Sequence, residues 1–163
     1  MKTLVRALIL LMLTVWLGGV FFFPVIAAVS FSSLPDTHAA GTIVGLCLRI
    51  LHYEGLGAGA FLVLLLIVSQ IFRVYPRSIA PAFVLVVLML ALTAFSQFSI
   101  IPRMERFRQH AGGAINTADS TNPDTIGFNR LHRLSTYVEE GVLIAGLLFI
   151  AVIAHAESSK QAA

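Results

Sequence analysis

The chain alternates long apolar runs with short polar connections. Four apolar runs, at about 5–28, 50–72, 79–101 and 137–156, are each near the ~20 residues that a helix needs to cross a bilayer. None of them has the period-2 alternation of a membrane strand. The pattern predicts an all-α fold, with residues 1–163 forming one domain. We expect a four-helix, up-down transmembrane bundle with both termini on the same side.

The fourth apolar run follows directly on a polar helical entry in the segment FNRLHRLSTYVEEGVLIAG, residues 128–146. On a helical wheel His132, Ser135, Thr136 and Glu139 share one face, and Glu140 lies at its edge. Polar side chains that meet a membrane helix on one face are the strongest chemical signal in this sequence.

The apolar part of this last helix is short, because residues 141–154 cover only about 21 Å against a hydrocarbon core of about 30 Å. We therefore expect the preceding turn to enter the bilayer edge, where Glu139 and Glu140 need protons or partners. Asn122 followed by Pro123 resembles a helix start, so the helix is expected to begin near residue 123.

Composition agrees with a membrane protein. The sequence is 58% hydrophobic and only 12% charged over 163 residues, which excludes a soluble domain and implies contact with the lipid bilayer. Lys2 and Arg6 precede the first run as in a signal peptide, but that run is long and contains Trp16 and Pro24, so we expect it to remain as the first helix. The net charge of +3 does not indicate nucleic-acid binding.

An up-down order places the starts of the second and fourth helices and the ends of the first and third on one side, which we call the polar end. We predict a ligand-binding or proton-linked site there. Its candidate residues are His52, His132, Glu139, Glu140, Arg103, Arg49 and Glu54. The opposite side, which holds both termini, is called the terminal end.

Glycines at helical spacing indicate where helices pack closely. Gly18 and Gly19 in the first helix, the GxxxG pair Gly55 and Gly59 in the second, and Gly141 in the fourth are the predicted packing positions.

Basic residues do not decide the orientation by count, because the terminal end has five (Lys2, Arg6, Arg73, Arg77 and Lys160) and the polar end has six. The polar-end arginines have seven acids nearby with which to pair. We therefore expect cytoplasmic termini, in a bacterial inner membrane.

Three segments carry a family resemblance: WLGGVFFFPV in the first helix, IIPRMERFR after the third and FNRLHRLSTYVEEGVLIAG at the fourth. With these the chain resembles the transmembrane protein 205-like family, which implies a small four-helix membrane protein of unknown function. WLGGVFFFP is more distantly similar to the first helix of copper-resistance protein D and of HemJ-type protoporphyrinogen oxidases, and the latter similarity implies haem. Those oxidases have a histidine after this motif, whereas Pro24 is followed by VIAAVSFSS.

These features are consistent with three alternative functions. The first is a binding site for haem, a divalent metal or a proton-coupled small solute, built from His52 and His132 with Glu139 as charge partner. The second is an accessory subunit or homo-oligomer that docks other membrane subunits through its charged end. An enzyme is the weakest, because no nucleophile elbow, phosphate loop or HExxH motif is present.

The first two functions differ in the geometry they predict. Ligation predicts that the imidazoles of His52 and His132 face one cavity. Docking predicts an exposed polar end without a cavity, in which acids already pair with arginines, for example Arg103 with Glu139 or Arg133 with Glu105.

Overall fold

The computed structural model describes residues 1–76, 78–111, 115 and 121–158 of the chain, so Arg77 and Lys160 lie outside the described residues. The described part is helical throughout its length apart from short turns. The helices are α1 (Lys2–Ser33), α2 (Thr37–Ile71), α3 (Ala80–Phe95), α4 (Ile101–His110) and α5 (Pro123–Ser158), and a π-helical turn at Ser96–Ile100 joins α3 to α4.

These elements form four candidate membrane spans, because α3, the π turn and α4 run on as one stretch from Ala80 to His110. The successive spans pack mainly on one another, α1 on α2, α2 on α3 and α3 on α5, whereas α1 and α5 have far fewer contacts. The predicted all-α, up-down membrane bundle is therefore confirmed, with both termini at the same end.

Two of the helices begin many residues before their apolar segments, because polar side chains cap their N-termini. Asp36 Oδ1 accepts a hydrogen bond from the backbone N–H of His38 at 2.9 Å, which starts α2 well before the apolar segment predicted from about 50. Asn122 Oδ1 accepts from the N–H of Asp124 at 2.9 Å, and Pro123 occupies the first helical position of α5.

The middle of the bundle is organised around Trp16, which is only 1% exposed. A Cβ on Gly55 or Gly59 would overlap the Trp16 indole, and one on Gly59 would also lie 2.6 Å from Leu90. The GxxxG groove of α2 thus receives the Trp16 side chain of the neighbouring helix α1.

The other glycines divide by position. A Cβ on Gly19 would lie 2.5 Å from Leu51 Cδ1, and one on Gly141 would lie 3.3 Å from Leu92 Cδ1, so both allow close packing. A Cβ on Gly18 would meet no atom within 4 Å, so α1 packs on α2 through Gly19 and not through Gly18. Gly146, absent from the predicted set, brings α5 against Leu17 of α1.

The terminal end is closed by one arginine. Arg6 donates to Glu157 Oε1 and to the carbonyl oxygen of Val74, both at 2.7 Å, and its guanidinium lies 5.3 Å from the centre of the Tyr75 ring. Since Glu157 is on α5 and Val74 is in the α2–α3 turn, Arg6 of α1 joins three parts of the bundle.

Candidate functional site

A crevice of about 650 Å³ opens between α1 and α2 on one side and α5 on the other, at the polar end. It begins where the contact of Leu17 with Gly146 ends and α1 and α5 separate. Its volume falls in the range of about 300–1,000 Å³ that is typical of pockets for small molecules.

The two walls of the crevice differ in chemistry. The α1 and α2 wall is mainly apolar and includes Val20, Phe23, Ala27, Phe31, Val44, Leu48 and Leu51. The α5 wall is polar and includes Asn129, His132, Ser135, Thr136, Glu139 and Glu140. The α5 residues fall on one side of the helix because they recur at three- and four-residue spacing. The crevice is therefore amphipathic across its width.

Glu139 connects the crevice to the interior. Its side chain is 15% exposed, and its Oε1 lies 2.6 Å from Nε2 of His52, which is 1% exposed. The other ring nitrogen of His52, Nδ1, lies 3.0 Å from Oε1 of Gln97. A hydrogen-bonded chain thus runs from α5 through α2 to the π turn.

This arrangement constrains where protons can be. With an amide oxygen on one side and a carboxylate on the other, both ring nitrogens of His52 donate only if the ring is a charged imidazolium. A neutral ring bonds to both neighbours if the Gln97 amide is turned to present its NH₂ or if Glu139 carries the proton. Since Glu139 borders the crevice, proton exchange between this pair and the crevice needs no passage through the apolar core.

The π turn gives Gln97 its position. Ser96 and Gln97 in this turn are buried, and Thr93, one turn earlier, is buried on the same side. Within the described part of the chain the hydroxyls of Thr93 and Ser96 have no hydrogen-bond partner, whereas Thr14 in α1 donates to the carbonyl oxygen four residues back at 2.8 Å. Irregular turns of this kind are frequent at functional sites.

The structure brings together only some of the predicted site residues. His132, Glu139 and Glu140 line the crevice, and His52 lies behind Glu139 without lining it. The remaining candidates, Arg49, Glu54 and Arg103, do not line it.

Arg49 borders a smaller neighbouring cavity of about 140 Å³, beside Glu105. Glu54 is exposed on α2, and its carboxylate lies 3.8 Å from the position of a Cβ on Gly19 of α1. Arg103 is exposed on α4. These three residues belong to the polar end, but their side chains do not line the crevice.

The ion pairs at the polar end also differ from the examples predicted. Glu105 pairs with Arg108 at 3.0 Å and with Arg49 at 3.9 Å, and not with Arg133. Glu139 pairs with His52, and not with Arg103. The reason is direction: Glu105 faces α2, whereas Arg133 is on the exposed side of α5.

The two candidate ligating histidines do not face one cavity. His132 lines the crevice and stacks on Phe128 at 6.2 Å between ring centres, whereas both nitrogens of His52 already meet oxygen atoms. The residues present therefore do not fit a haem held between these histidines. Among residues 1–76, 78–111, 115 and 121–158, no group of three or more His, Cys, Asp and Glu side chains is placed to hold a metal ion.

Sequence reasoning missed two contributors to this site, Gln97 and Arg108, which borders the crevice from α4. A signal for Gln97 was present, since a polar residue in an otherwise apolar membrane helix usually has a specific partner. Its direction, however, depends on a π turn that helical periodicity does not reveal.

Comparisons with known proteins give one match. No curated protein and no solved structure matches the chain. One family model, described as a domain of unknown function, matches residues 11–112. The match extends from α1 through α4 and includes His52 and Gln97 but ends before α5. It covers more than half of the 163 residues, and the chain therefore belongs to this family, DUF4149.

Proposed function

We propose that this four-span membrane protein binds a small amphipathic molecule in the crevice and that binding is linked to the proton shared by Glu139 and His52. One observation carries the proposal: Glu139 lines the crevice while one of its oxygens lies 2.6 Å from a histidine that is 1% exposed. A ligand group that meets Glu139 changes the charge balance of a buried pair, which makes its binding depend on pH.

The walls indicate the chemistry of the ligand. The apolar side chains of α1 and α2 suit a hydrocarbon or aromatic body, and the acids of α5 suit a cationic or hydrogen-bond-donating group. Glu140 lines the crevice next to Glu139 and has no ion-pair partner in the described part of the chain. The ligand class that fits best is a lipophilic amine.

The direction of the pH dependence follows from charge. A cation beside Glu139 favours the carboxylate form, so the cation and a proton compete for the same group. Binding of a lipophilic amine is then expected to release protons and to tighten as the pH rises, as long as the amine itself remains protonated.

A pair of matched probes tests this proposal in protein reconstituted into lipid nanodiscs. The probes are a long-chain primary alkylamine and the alcohol of the same chain length, and the readouts are thermal stabilisation and proton release in weak buffer. We expect the amine to stabilise the protein more than the alcohol does, by a margin that grows with pH. Glu139→Gln is expected to abolish that margin.

Glu54→Gln is the matched control, because it neutralises an acid of the same end that lies outside the crevice. It should leave the preference for the amine unchanged. Equal responses to amine and alcohol, or an unchanged preference in Glu139→Gln, would refute the proposal.

A second candidate, the accessory subunit or homo-oligomer, is favoured by Glu54 itself. This acid is exposed on a membrane-spanning helix and has no ion-pair partner among the described residues. A carboxylate near lipid is costly, so a cation of a neighbouring subunit is one way to satisfy it. Cross-linking in native membranes tests this: a cross-linked species that Glu54→Gln removes would support docking at α2.

The resemblances to the transmembrane protein 205-like family, copper-resistance protein D and HemJ-type oxidases remain predictions, as does the inner-membrane location with cytoplasmic termini. The haem hypothesis has a direct test. A Soret band in gently purified protein that disappears in the His52→Ala, His132→Ala double variant would revive ligation and replace the amphiphile proposal.

A further inference from the structure

A set of exposed cations without acidic partners among the described residues lies on α4 and α5 at the polar end. Arg103 and Arg106 on α4 and Arg130 and Arg133 on α5 are all exposed. None of the four has a carboxylate partner among residues 1–76, 78–111, 115 and 121–158, although Arg108 and Arg49 nearby share Glu105. We call these four residues the arginine belt.

The antiparallel packing of α4 and α5 places the belt at two matched heights. Gln97 and Glu139 mark one level, since both contact His52. Arg103 follows Gln97 by six residues and Arg133 precedes Glu139 by six, so both lie about 9 Å beyond that level at roughly 1.5 Å per residue. Arg106 and Arg130 lie about 13 Å beyond it by the same reckoning.

These heights correspond to the headgroup layer. Glu157, which pairs with Arg6 at the terminal end, is 18 residues from Glu139, or about 27 Å along α5. A hydrocarbon core of about 30 Å that begins near Glu157 therefore ends a few Å beyond Glu139. The arginine belt then lies within and just outside the headgroup layer, where long arginine side chains reach lipid phosphates.

The surface immediately below the belt suits acyl chains. Phe98 is 63% exposed five residues before Arg103, and Tyr137 is 66% exposed four residues after Arg133. Exposed aromatic side chains at this depth are typical of the membrane interface. Cations above and aromatic groups below match the layering of a phospholipid from headgroup to chain.

We propose that the arginine belt is a binding site for anionic phospholipid headgroups. Four cations without acidic partners favour a lipid with net negative charge over a zwitterionic lipid. The guanidinium groups attract and donate to phosphate oxygens, while the lipid chains cover Phe98 and Tyr137. This site is distinct from the crevice, because none of the four arginines lines it.

The experiment compares two lipids on the purified protein. Phosphatidylglycerol and phosphatidylcholine are titrated separately into the detergent-solubilised protein, and an apparent Kd is taken from thermal stabilisation. We expect wild type to bind phosphatidylglycerol more tightly, with a preference that falls as salt is added. In the Arg103→Gln, Arg106→Gln, Arg130→Gln, Arg133→Gln variant the apparent Kd for phosphatidylglycerol should rise at least about tenfold.

The matched control replaces the same four arginines by lysine, which keeps the charge, and should retain the affinity within about threefold of wild type because much of the attraction is electrostatic. If the glutamine variant does not fold, the two pairwise variants, one on each helix, should each show an intermediate loss. No preference for phosphatidylglycerol in wild type would overturn the proposal, and so would an unchanged preference in the glutamine variants. If the belt instead docks an acidic protein, wild type shows no preference for phosphatidylglycerol.

Discussion

The two ends of the bundle use their charged residues in opposite ways. At the terminal end, Arg6 joins Glu157 of α5 to the carbonyl of Val74 in the α2–α3 turn and lies over Tyr75. At the polar end, Glu105 forms ion pairs with two arginines, but the four arginines of the belt have no acidic partner in the described part of the chain. Arg6 is thus satisfied within the bundle at the terminal end, whereas the arginine belt leaves charge available to its surroundings at the polar end.

Packing follows the same division. Towards the terminal end α1 and α5 meet at Leu17 and Gly146, whereas towards the polar end they separate around a crevice of about 650 Å³. The difference shows how four helices combine a closed half with an open one: close packing in one half holds the bundle together, so that the other half can contain a cavity without losing the fold.

The largest expected effect comes from opening the closed half. In Gly146→Leu the added side chain overlaps Leu17, so we expect a loss of about 3 kcal/mol in unfolding free energy, the upper range for overpacking. Gly18→Leu is the control, because Gly18 meets no atom within 4 Å, and it should change stability by less than about 0.5 kcal/mol. Denaturant unfolding in detergent measures both, and equal losses would contradict the account of the α1–α5 contact.

A smaller loss is expected where the open half meets the core. His52→Ala removes a buried ring and leaves Glu139 and Gln97 without their shared partner, at a cost of about 2 kcal/mol, moderated because Glu139 borders the crevice. His132→Ala removes an exposed ring and should cost less than about 0.5 kcal/mol. If the two variants lose equal stability, the Glu139–His52–Gln97 chain does not stabilise the bundle.

The arginines of the two ends permit a direct comparison. Arg6→Gln loses two hydrogen bonds and the contact with Tyr75, so we expect a cost of about 1 kcal/mol. Arg103→Gln, at the other end, should change the stability of the lipid-free protein by no more than about 0.3 kcal/mol because it has no partner among the described residues. Denaturant unfolding in detergent measures both variants. A larger loss in Arg103→Gln than in Arg6→Gln would show that Arg103 is also satisfied within the bundle.

The smallest effect is a pH dependence at the terminal end. Burial raises the pKa of Tyr75 above its usual value of 10.0, although the charge of Arg6 lowers it in part and Glu157 raises it again. Folding therefore favours the neutral phenol. The stability from this burial is fully present below about pH 10 and is lost as the pH rises through the higher folded-state pKa.

Tyr75→Phe removes the ionisable group, so its Tm should fall less between pH 9 and pH 11 than the Tm of wild type. The exposed Tyr137→Phe provides the control and should follow wild type. A Tyr75→Phe profile that is parallel to wild type would mean that this phenol does not contribute to the loss of stability at high pH.

Much of the fold could be predicted from sequence because hydropathy determines it. The runs of apolar residues predict the four spans, and their order predicts one polar end. The helical wheel also placed His132 and Glu139 on the face of α5 that now lines the crevice. These are local properties, which depend on one helix at a time.

The rest could not be predicted because it depends on how the helices meet. Membership of the polar end does not say which way a side chain points, so Arg49, Glu54 and Arg103 were grouped with a crevice they do not line. A GxxxG pattern identifies a groove without identifying its occupant, here Trp16. The contact of Gln97 with His52 requires the π turn, which leaves no trace in hydropathy.

The π turn at Ser96–Ile100 determines how this helix responds to the loss of one residue. A π-helical turn takes up about one residue more than an α-helical turn, and each residue rotates a helix by about 100°. If these residues formed a regular α-helix, everything after them would rotate by that angle, and Met104 and Arg108 would leave the crevice. If one residue of this turn is deleted and the turn becomes regular α-helix, the two changes cancel and α4 keeps its orientation towards the crevice. At this position of the helix, therefore, losing a residue is expected to disturb the crevice less than straightening the turn at full length.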